Sequence, residues 1–343
     1  MMGEKQSTIA PTNERAGEIK PHSPSNTRGG WQLKTGRWRD WQWRGWRVKY
    51  AYLPGPAKST RSPAIPPIVA IHGFGASIGH WRHNFEAWAQ TGPVYALDLV
   101  GFGGSEKPPT DYSGTLWVNQ VTAFLDEIVK EPAILIGNSI GSAIAMTAAH
   151  QSQQTGKPRA AAVIALSLPD TAARAEMIPG PLLPVISFME QAIANPPLLK
   201  TIFYWVRQPK IIRNWVGIAY PNKAAIDDDL VDILSGPPQE PGTAEAFVRI
   251  LRAMTSPTFT PSMKPILAAT QIPVLILWGA QDRMIPPALA KGFDGLNPLV
   301  TVRSLEGLGH CPHDEAPDQL NPLLQDWITH TVCPTPTAPV PVP

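Results

Sequence analysis

A serine between glycines, a histidine in a glycine-rich loop and an aspartate behind a strand are the groups here that could transfer an acyl group. The serine is Ser139, in "ILIGNSIGSAIAM" at residues 134–146. Ala133 to Ile136 read as a buried parallel strand, and Ser142 to Ala149 as a helix packed on a sheet. The pattern G-x-S-x-G therefore falls at a strand-to-helix corner. Such a turn strains the serine and aims its hydroxyl out of the top of the sheet. A hydroxyl attacks poorly until a base takes its proton. Of the 8 histidines, His310 in "GLGH" lies just past the last strand, where Gly307 and Gly309 let the loop reach Ser139. His313 is its rival in "GHCPHDEAP", expected instead to cap or pair with Asp314 or Glu315. A carboxylate must then hold the imidazole. Asp282, after a tight Gly-x-x-Asp turn in "GAQDRMIPP", is preferred over Asp170, which also follows a strand. Charge building on a carbonyl oxygen needs donors in place. "HGFGAS" at 72–77 offers the Phe74 N–H, and the residue after the serine offers the Ile140 N–H. A glycine-rich turn without a chemical role is the plainer reading of that loop.

These groups need a frame, and the chain supplies one. "IVAIHG" (68–73), "VYALDLVG", "AILIGNS", "AAVIALS" (161–167), "PVLILWG" (273–279) and "VTVRSLE" (300–306) read as strands. Helix patterns fall between them in "HWRHNFEAWAQ", "LWVNQVTAFLDEIV", near 287–293 and in "QLNPLLQDWITH". This alternation predicts an α/β fold with a mostly parallel central sheet and helices on both faces. Ligands of such sheets bind beyond the carboxyl ends of the strands, where every group above lies. The chain order Ser139, Asp282, His310 is the one expected of an elbow of this kind.

Composition narrows the class. At 343 residues with 43% hydrophobic and 16% charged, the chain can bury a large core. A net charge of +2 gives no global field for nucleic acid. Cys311 and Cys333 form no CxxC, so neither a disulfide framework nor a zinc site is expected. No metal, nucleotide or flavin motif is present, and no cofactor is expected. Residues 1–30 are polar and read as disordered without a secretory signal; the proline-rich 333–343 read as a disordered tail. No run of 18 apolar residues occurs, so a cytoplasmic protein is expected.

Over residues 38–331 the sequence resembles the α/β-hydrolase superfamily, through "HGFGAS", "ALDLVGFGGSEKP", "IGNSIGS", "LWGAQDRMIPP" and "GLGHCPHDEAP". Within it, "GHCPHDEAP" and the "GNS" elbow are similar to pheophytinase and chlorophyll dephytylase relatives of plants and cyanobacteria. That resemblance implies hydrolysis of a carboxylic ester of a long isoprenoid alcohol such as phytol, and a thylakoid setting. Ser142 departs from the resemblance, where a glycine is usual.

The core is expected at 31–167 and 273–332, with a helical cap at 168–272. The cap reads apolar in "MIPGPLLPVISFMEQAI", "PLLKTIFYWVRQ" and "IIRNWVGIAY", which suits a bulky hydrophobic ester and excludes water. In "WQLKTGRWRDWQWRGWRVKYAY" the alternation about Gly45 predicts a β-hairpin at the sheet edge. Its interleaved Trp and Arg make a peripheral membrane contact the secondary expectation. The sequence does not define an oligomeric state. Competing readings are a hydrolase of another acyl or carbon–carbon bond, and a non-catalytic hydrolase-fold binding protein. A dehalogenase or epoxide hydrolase would carry aspartate at the elbow.

Overall fold

The apolar runs become the centre of one twisted sheet. The computed structural model describes residues 30–56, 65–170, 195–256 and 258–333; of the expected disordered ends, 1–29 and 334–343 lie outside them, as does "MIPGPLLPVISFMEQAI", whereas Gly30 begins a helix. The chain opens with α1 (Gly30–Lys34), β1 (Arg37–Trp43), β2 (Trp46–Leu53), β3 (Ile68–Ile71), α2 (Phe85–Ala89) and β4 (Val94–Leu97). Next come α3 (Gly114–Phe124), β5 (Ala133–Asn138), α4 (Ile140–Gln154) and β6 (Ala160–Leu166). Among the described residues five α-helices follow: α5 (Pro196–Val206), α6 (Pro209–Ala219), α7 (Asp228–Ser235), α8 (Thr243–Met254) and α9 (Met263–Ala268). The chain then forms β7 (Val274–Gly279), β8 (Val300–Leu305), α10 (Pro312–Glu315) and α11 (Pro317–Trp327).

Among the described residues the sheet order is β1-β2-β4-β3-β5-β6-β7-β8. Pairing is parallel from β4 through β8 and antiparallel at β1–β2 and β2–β4. The side-chain period of two divides the central strands between two cores. Val69, Leu135, Val163 and Ile276 face one core with α3 and α4. Ile68, Ile134, Ile164 and Leu275 face the other with α2 and α11. This is the buried, doubly covered sheet that continuous Ile/Val/Leu runs require.

The edge hairpin turns at Arg44 and Gly45, both with positive φ, as a two-residue loop with right-twisted strands demands. Trp41 and Trp43 point inward, Trp41 lying edge-on to Phe124, so these two tryptophans serve the core. The segment read as strand "VYALDLVG" stops at Leu97. There the Asp98 carboxylate turns inward and accepts the Ile78 and Gly104 amides, each at 2.7 Å. The segment at 80–90 divides into a short 3-10 turn (Ile78–Trp81) and α2.

Between β6 and β7, α5 packs on α8 through Leu199 and Val248. Leu230 of α7 packs with Tyr220 and Val216, joining α6 to α7. Among the described residues no helix is long and apolar enough to cross a membrane.

His72 directly follows β3 and is fully buried. Its Nδ1 lies 2.7 Å from the Gly73 carbonyl and must donate, while Nε2 accepts the Leu99 N–H at 3.0 Å. Burial lowers its pKa from 6.5 to about 4, partly opposed by the Gly73 carbonyl. The unfolded chain therefore binds a proton between these values that the fold refuses. Stability from this site is complete above 6.5 and falls as pH drops toward 4, by about 3 kcal/mol in all. Asp98, raised by burial to about 7, acts in the opposite sense. Comparing variants cancels it. His72→Gln should be less stable at neutral pH and lose less stability on acidification than the parent, read from melting curves across this range; parallel curves would exclude His72.

Candidate active site

Ser139 sits between β5 and α4 at φ 53° and ψ −124°, a region that few residues with a side chain enter. The flanking glycines make the corner possible. A Cβ on Gly137 would stand 2.4 Å from the Gly141 carbonyl carbon, and one on Gly141 would stand 2.2 Å from the Ile71 carbonyl oxygen. Ser142 closes the turn from the helix side, its hydroxyl donating to the Ser139 carbonyl at 2.5 Å. The residue that departs from the expected glycine thus gains a contact at the elbow. Ser139 itself is half-buried while Asn138 and Ile140 are buried, which leaves the serine reachable at the sheet top.

The loop after β3 lies against this corner. A Cβ on Gly73 would be 3.3 Å from the Ser139 Cβ, so the two backbones run in contact. Gly75 takes φ 71° in the following turn. Neither the Phe74 nor the Ile140 amide donates to protein among the described residues. Two free N–H groups therefore flank the serine's surroundings.

His310 reaches the site from the loop after β8. Its Nδ1 lies 2.8 Å from Asp282 Oδ2. The ionised carboxylate only accepts, so Nδ1 carries the proton and Nε2 is left as the basic nitrogen. Asp282 Oδ1 accepts the Met284 and Ile285 amides at 2.8 and 2.9 Å. Burial raises the Asp282 pKa, but the hydrogen bond and charge of His310, with the two amides, outweigh it and hold the carboxyl below 3.8. Asp170 lies instead within 3.4 Å of the Ser262 hydroxyl. Asp282, not Asp170, is the carboxylate on His310.

His313 does not pair with Asp314 or Glu315, contrary to expectation. It is fully buried, 4.3 Å from the Trp81 ring centroid and 4.5 Å from that of His80, and neither ring nitrogen has a protein partner among the described residues. Burial, then its His80 and Arg82 neighbours, pushes its pKa well below the ordinary 6.5. Asp314 pairs elsewhere, with Arg82 Nη1 at 2.5 Å and the Tyr220 hydroxyl at 2.7 Å. Glu315 accepts the Gly309 amide at 2.6 Å and the Asn222 amide at 2.7 Å.

The His310 loop is fixed by residues that local pattern does not reveal. Asn138 Nδ2 donates to the His310 carbonyl at 3.0 Å, tying the loop to the residue before Ser139. Ser167, with φ 50° at the end of β6, donates to the same carbonyl at 3.3 Å. The His310 amide donates to the Ala219 carbonyl at 2.9 Å. The sequence signal for these contacts was faint: only the unusual polar ends of "LIGN" and "ALS" marked two of them. Among the described residues no cluster of His, Cys, Asp and Glu could hold a metal ion.

The model of the alpha/beta hydrolase family matches residues 68–323, spanning the elbow, Asp282 and His310. The chain belongs to this family. It is 25% identical over 285 residues to the uncharacterized hydrolase YugF of Bacillus subtilis, covering 83% of this chain and 95% of that one. It is 22% identical over 317 residues to the chloroplastic pheophytinase of Arabidopsis thaliana, covering 77% and 61%. Among solved structures, a serine hydrolase involved in carbazole degradation superposes with a TM-score of 0.68 at 17% identity, covering 85% of this chain and 98% of that one. Family membership makes the chain a hydrolase of α/β fold, and the pheophytinase relationship within it is distant.

Arg82 and Asp314 have fully buried side chains. Asp314→Ala would leave the guanidinium, among the described residues, with the half-exposed Asp227 at 3.1 Å as its acidic partner. An uncompensated buried charge costs about 3–5 kcal/mol. Urea unfolding should register a loss of that size; a change below about 1 kcal/mol would mean that Asp227 alone compensates Arg82.

Proposed function

We propose that the protein is a serine hydrolase that cleaves a carboxylic ester of a bulky hydrophobic substrate. The observation that carries this reading is the His310–Asp282 contact at 2.8 Å, tied through Asn138 to the strained elbow of Ser139. His310 Nε2 takes the Ser139 proton as Oγ attacks the ester carbonyl. The carbonyl π electrons move to oxygen, and the Phe74 and Ile140 amides receive that oxyanion. Collapse expels the alcohol, which takes the proton from His310, and leaves an acyl-serine. Water then repeats the sequence: His310 removes its proton, the second intermediate collapses, and Ser139 regains its hydrogen as the acid leaves. Asp282 holds the Nδ1–H throughout and offsets the transient imidazolium charge.

The substrate class rests on the apolar composition of the cap, 168–272, and on the distant relationship to pheophytinase. Together they favour a long isoprenoid or fatty alcohol, with the phytyl ester of a chlorophyll-type pigment as the finer proposal.

Ser139→Ala should abolish both ester turnover and labelling by a fluorophosphonate probe while leaving the melting temperature near that of the parent. His310→Ala should lower kcat by about three orders of magnitude or more with a small change in KM. Labelling that survives on another serine would overturn the assignment.

Alcohol length tests the substrate class separately. Each buried methylene is worth about 0.8 kcal/mol, so kcat/KM should rise roughly tenfold over two added carbons until the pocket is full. Phytyl esters should rank among the best substrates. A profile that peaks at acetate-sized or other short esters would reject the lipophilic class and leave the Ser139 chemistry standing.

A further inference from the structure

Single exposed apolar residues are ordinary on a protein surface, but a cluster is not. Among the described residues nine large hydrophobic side chains are exposed, and five of them fall between Leu198 and Ile218, on α5 and α6. Trp205 and Trp215 are each 56% exposed and Tyr204 51%. α6 is more unusual still. Its sequence PKIIRNWVGIA is strongly apolar, yet none of its 11 residues is buried. Val216 and Ala219 lean on the cluster around Tyr220 and Leu230, while Ile211, Trp215 and Ile218, at spacings of four and three, lie on another stripe of the helix. The fold uses one side of this helix and leaves the other apolar in water.

Charge indicates the partner. Residues 196–223 hold five basic residues and no acidic one. Lys200 and Arg213 are paired with Glu245 and Asp228, but three basic groups have no acidic partner among the described residues. These are Arg207, stacked 4.5 Å from the Tyr204 ring, Lys210, which is exposed, and Lys223, held on the Tyr220 carbonyl at 2.8 Å. An open groove of about 400 Å³ on this helix, lined by Arg213, Asn214, Gly217, Ile218, Lys223 and Ile226, places Lys223 beside a space of headgroup size. Tryptophan at an interface, flanked by Arg and Lys over an apolar stripe, is the composition that binds a helix parallel to a bilayer surface. The edge hairpin lacks that combination, because its Trp41 and Trp43 face the core.

We propose that the outer faces of α5 and α6 dock on a bilayer containing anionic phospholipid, with Trp205 and Trp215 at the level of the headgroups and Arg207, Lys210 and Lys223 against the phosphates. The membrane contact thus lies on the segment between β6 and β7 rather than on the hairpin. The surface stands independently of the esterase reading, since binding needs no turnover.

Co-sedimentation of the full chain with vesicles tests it. One set is phosphatidylcholine alone, the other three parts phosphatidylcholine to one part phosphatidylglycerol. The protein should sediment with the anionic set at ~0.1 M salt and be released at ~0.5 M salt, where the Debye length shrinks. Trp205→Ala with Trp215→Ala should weaken binding by about tenfold or more at an unchanged melting temperature, and Lys210→Glu by several-fold. Arg37→Glu with Arg47→Glu on the hairpin should bind like the parent. Absence of binding to anionic vesicles, or binding lost in the hairpin variant and kept in the tryptophan variant, would overturn the proposal. So would a parent that self-associates in size-exclusion chromatography through Trp205 and Trp215 without binding vesicles, because a second copy would then cover the face.

Discussion

One strained residue sets the terms for the rest of the site. Holding a serine at φ 53° costs on the order of 1–3 kcal/mol, and the surroundings must supply it. The Ser139 amide donates to the Leu166 carbonyl at 2.9 Å, so the elbow is anchored on β6 as well as on its own strand. The Ser142 amide and hydroxyl both return to the Ser139 carbonyl. Glycine at 137 and 141 then lets β5, α4 and the end of β3 approach closer than any Cβ would allow. A helix start, three strand ends and the Gly73 loop converge because this one backbone conformation needs them all.

The histidine loop obeys a similar logic with different means. It carries three glycine-flanked or turn residues before His310 and would wander if left to local preference. Four contacts stop it: Asn138 and Ser167 from the sheet, Ala219 from the end of α6, and Glu315 reaching back to Gly309. Each satisfies a buried backbone group as well as placing a side chain, so accuracy here follows from hydrogen-bond satisfaction.

The strained turn at Ser139 and the His310–Asp282 contact were legible because local spacing encodes backbone geometry. A glycine two residues either side of a serine, or a carboxylate one turn after a strand, is a statement about backbone shape. The parallel sheet was legible for the same reason, through apolar runs of strand length. The carboxylate that pairs with Arg82 was not. Asp314 lies 232 residues from its partner, and nothing in "PHDEAP" distinguishes it from a helix-capping acid. His313 misled for a related reason. Its neighbours in sequence are acids, but its neighbours in space are Trp81 and His80, and long-range packing outweighed local charge. At Asp98 the strand pattern ran on through Leu99 and Val100, yet the chain left the sheet because two amides outside the ladder bind its carboxylate. The tryptophans of the hairpin carried the correct period and left only their partner undecided. Phe124 of α3 decided it.

The same contacts join the outer helices to the His310–Asp282 pair. α6 ends at Ala219, whose carbonyl accepts the His310 amide, and the next residue, Tyr220, hydrogen-bonds both His80 and the buried Asp314. Asn222, two residues on, is held by Glu315, which also holds Gly309. The exit of α6 and the His310 loop therefore share their hydrogen bonds and cannot shift independently without exposing buried donors. A Cβ on Gly309 would stand 2.2 Å from the Ala219 carbonyl oxygen, so there is no slack between them. Trp215, one turn before this junction, and Ile218, the residue before it, lie on the apolar stripe of that helix. Rotation of α6 about its axis must then be absorbed within the single turn from Trp215 to Ala219, or be passed to the backbone of His310.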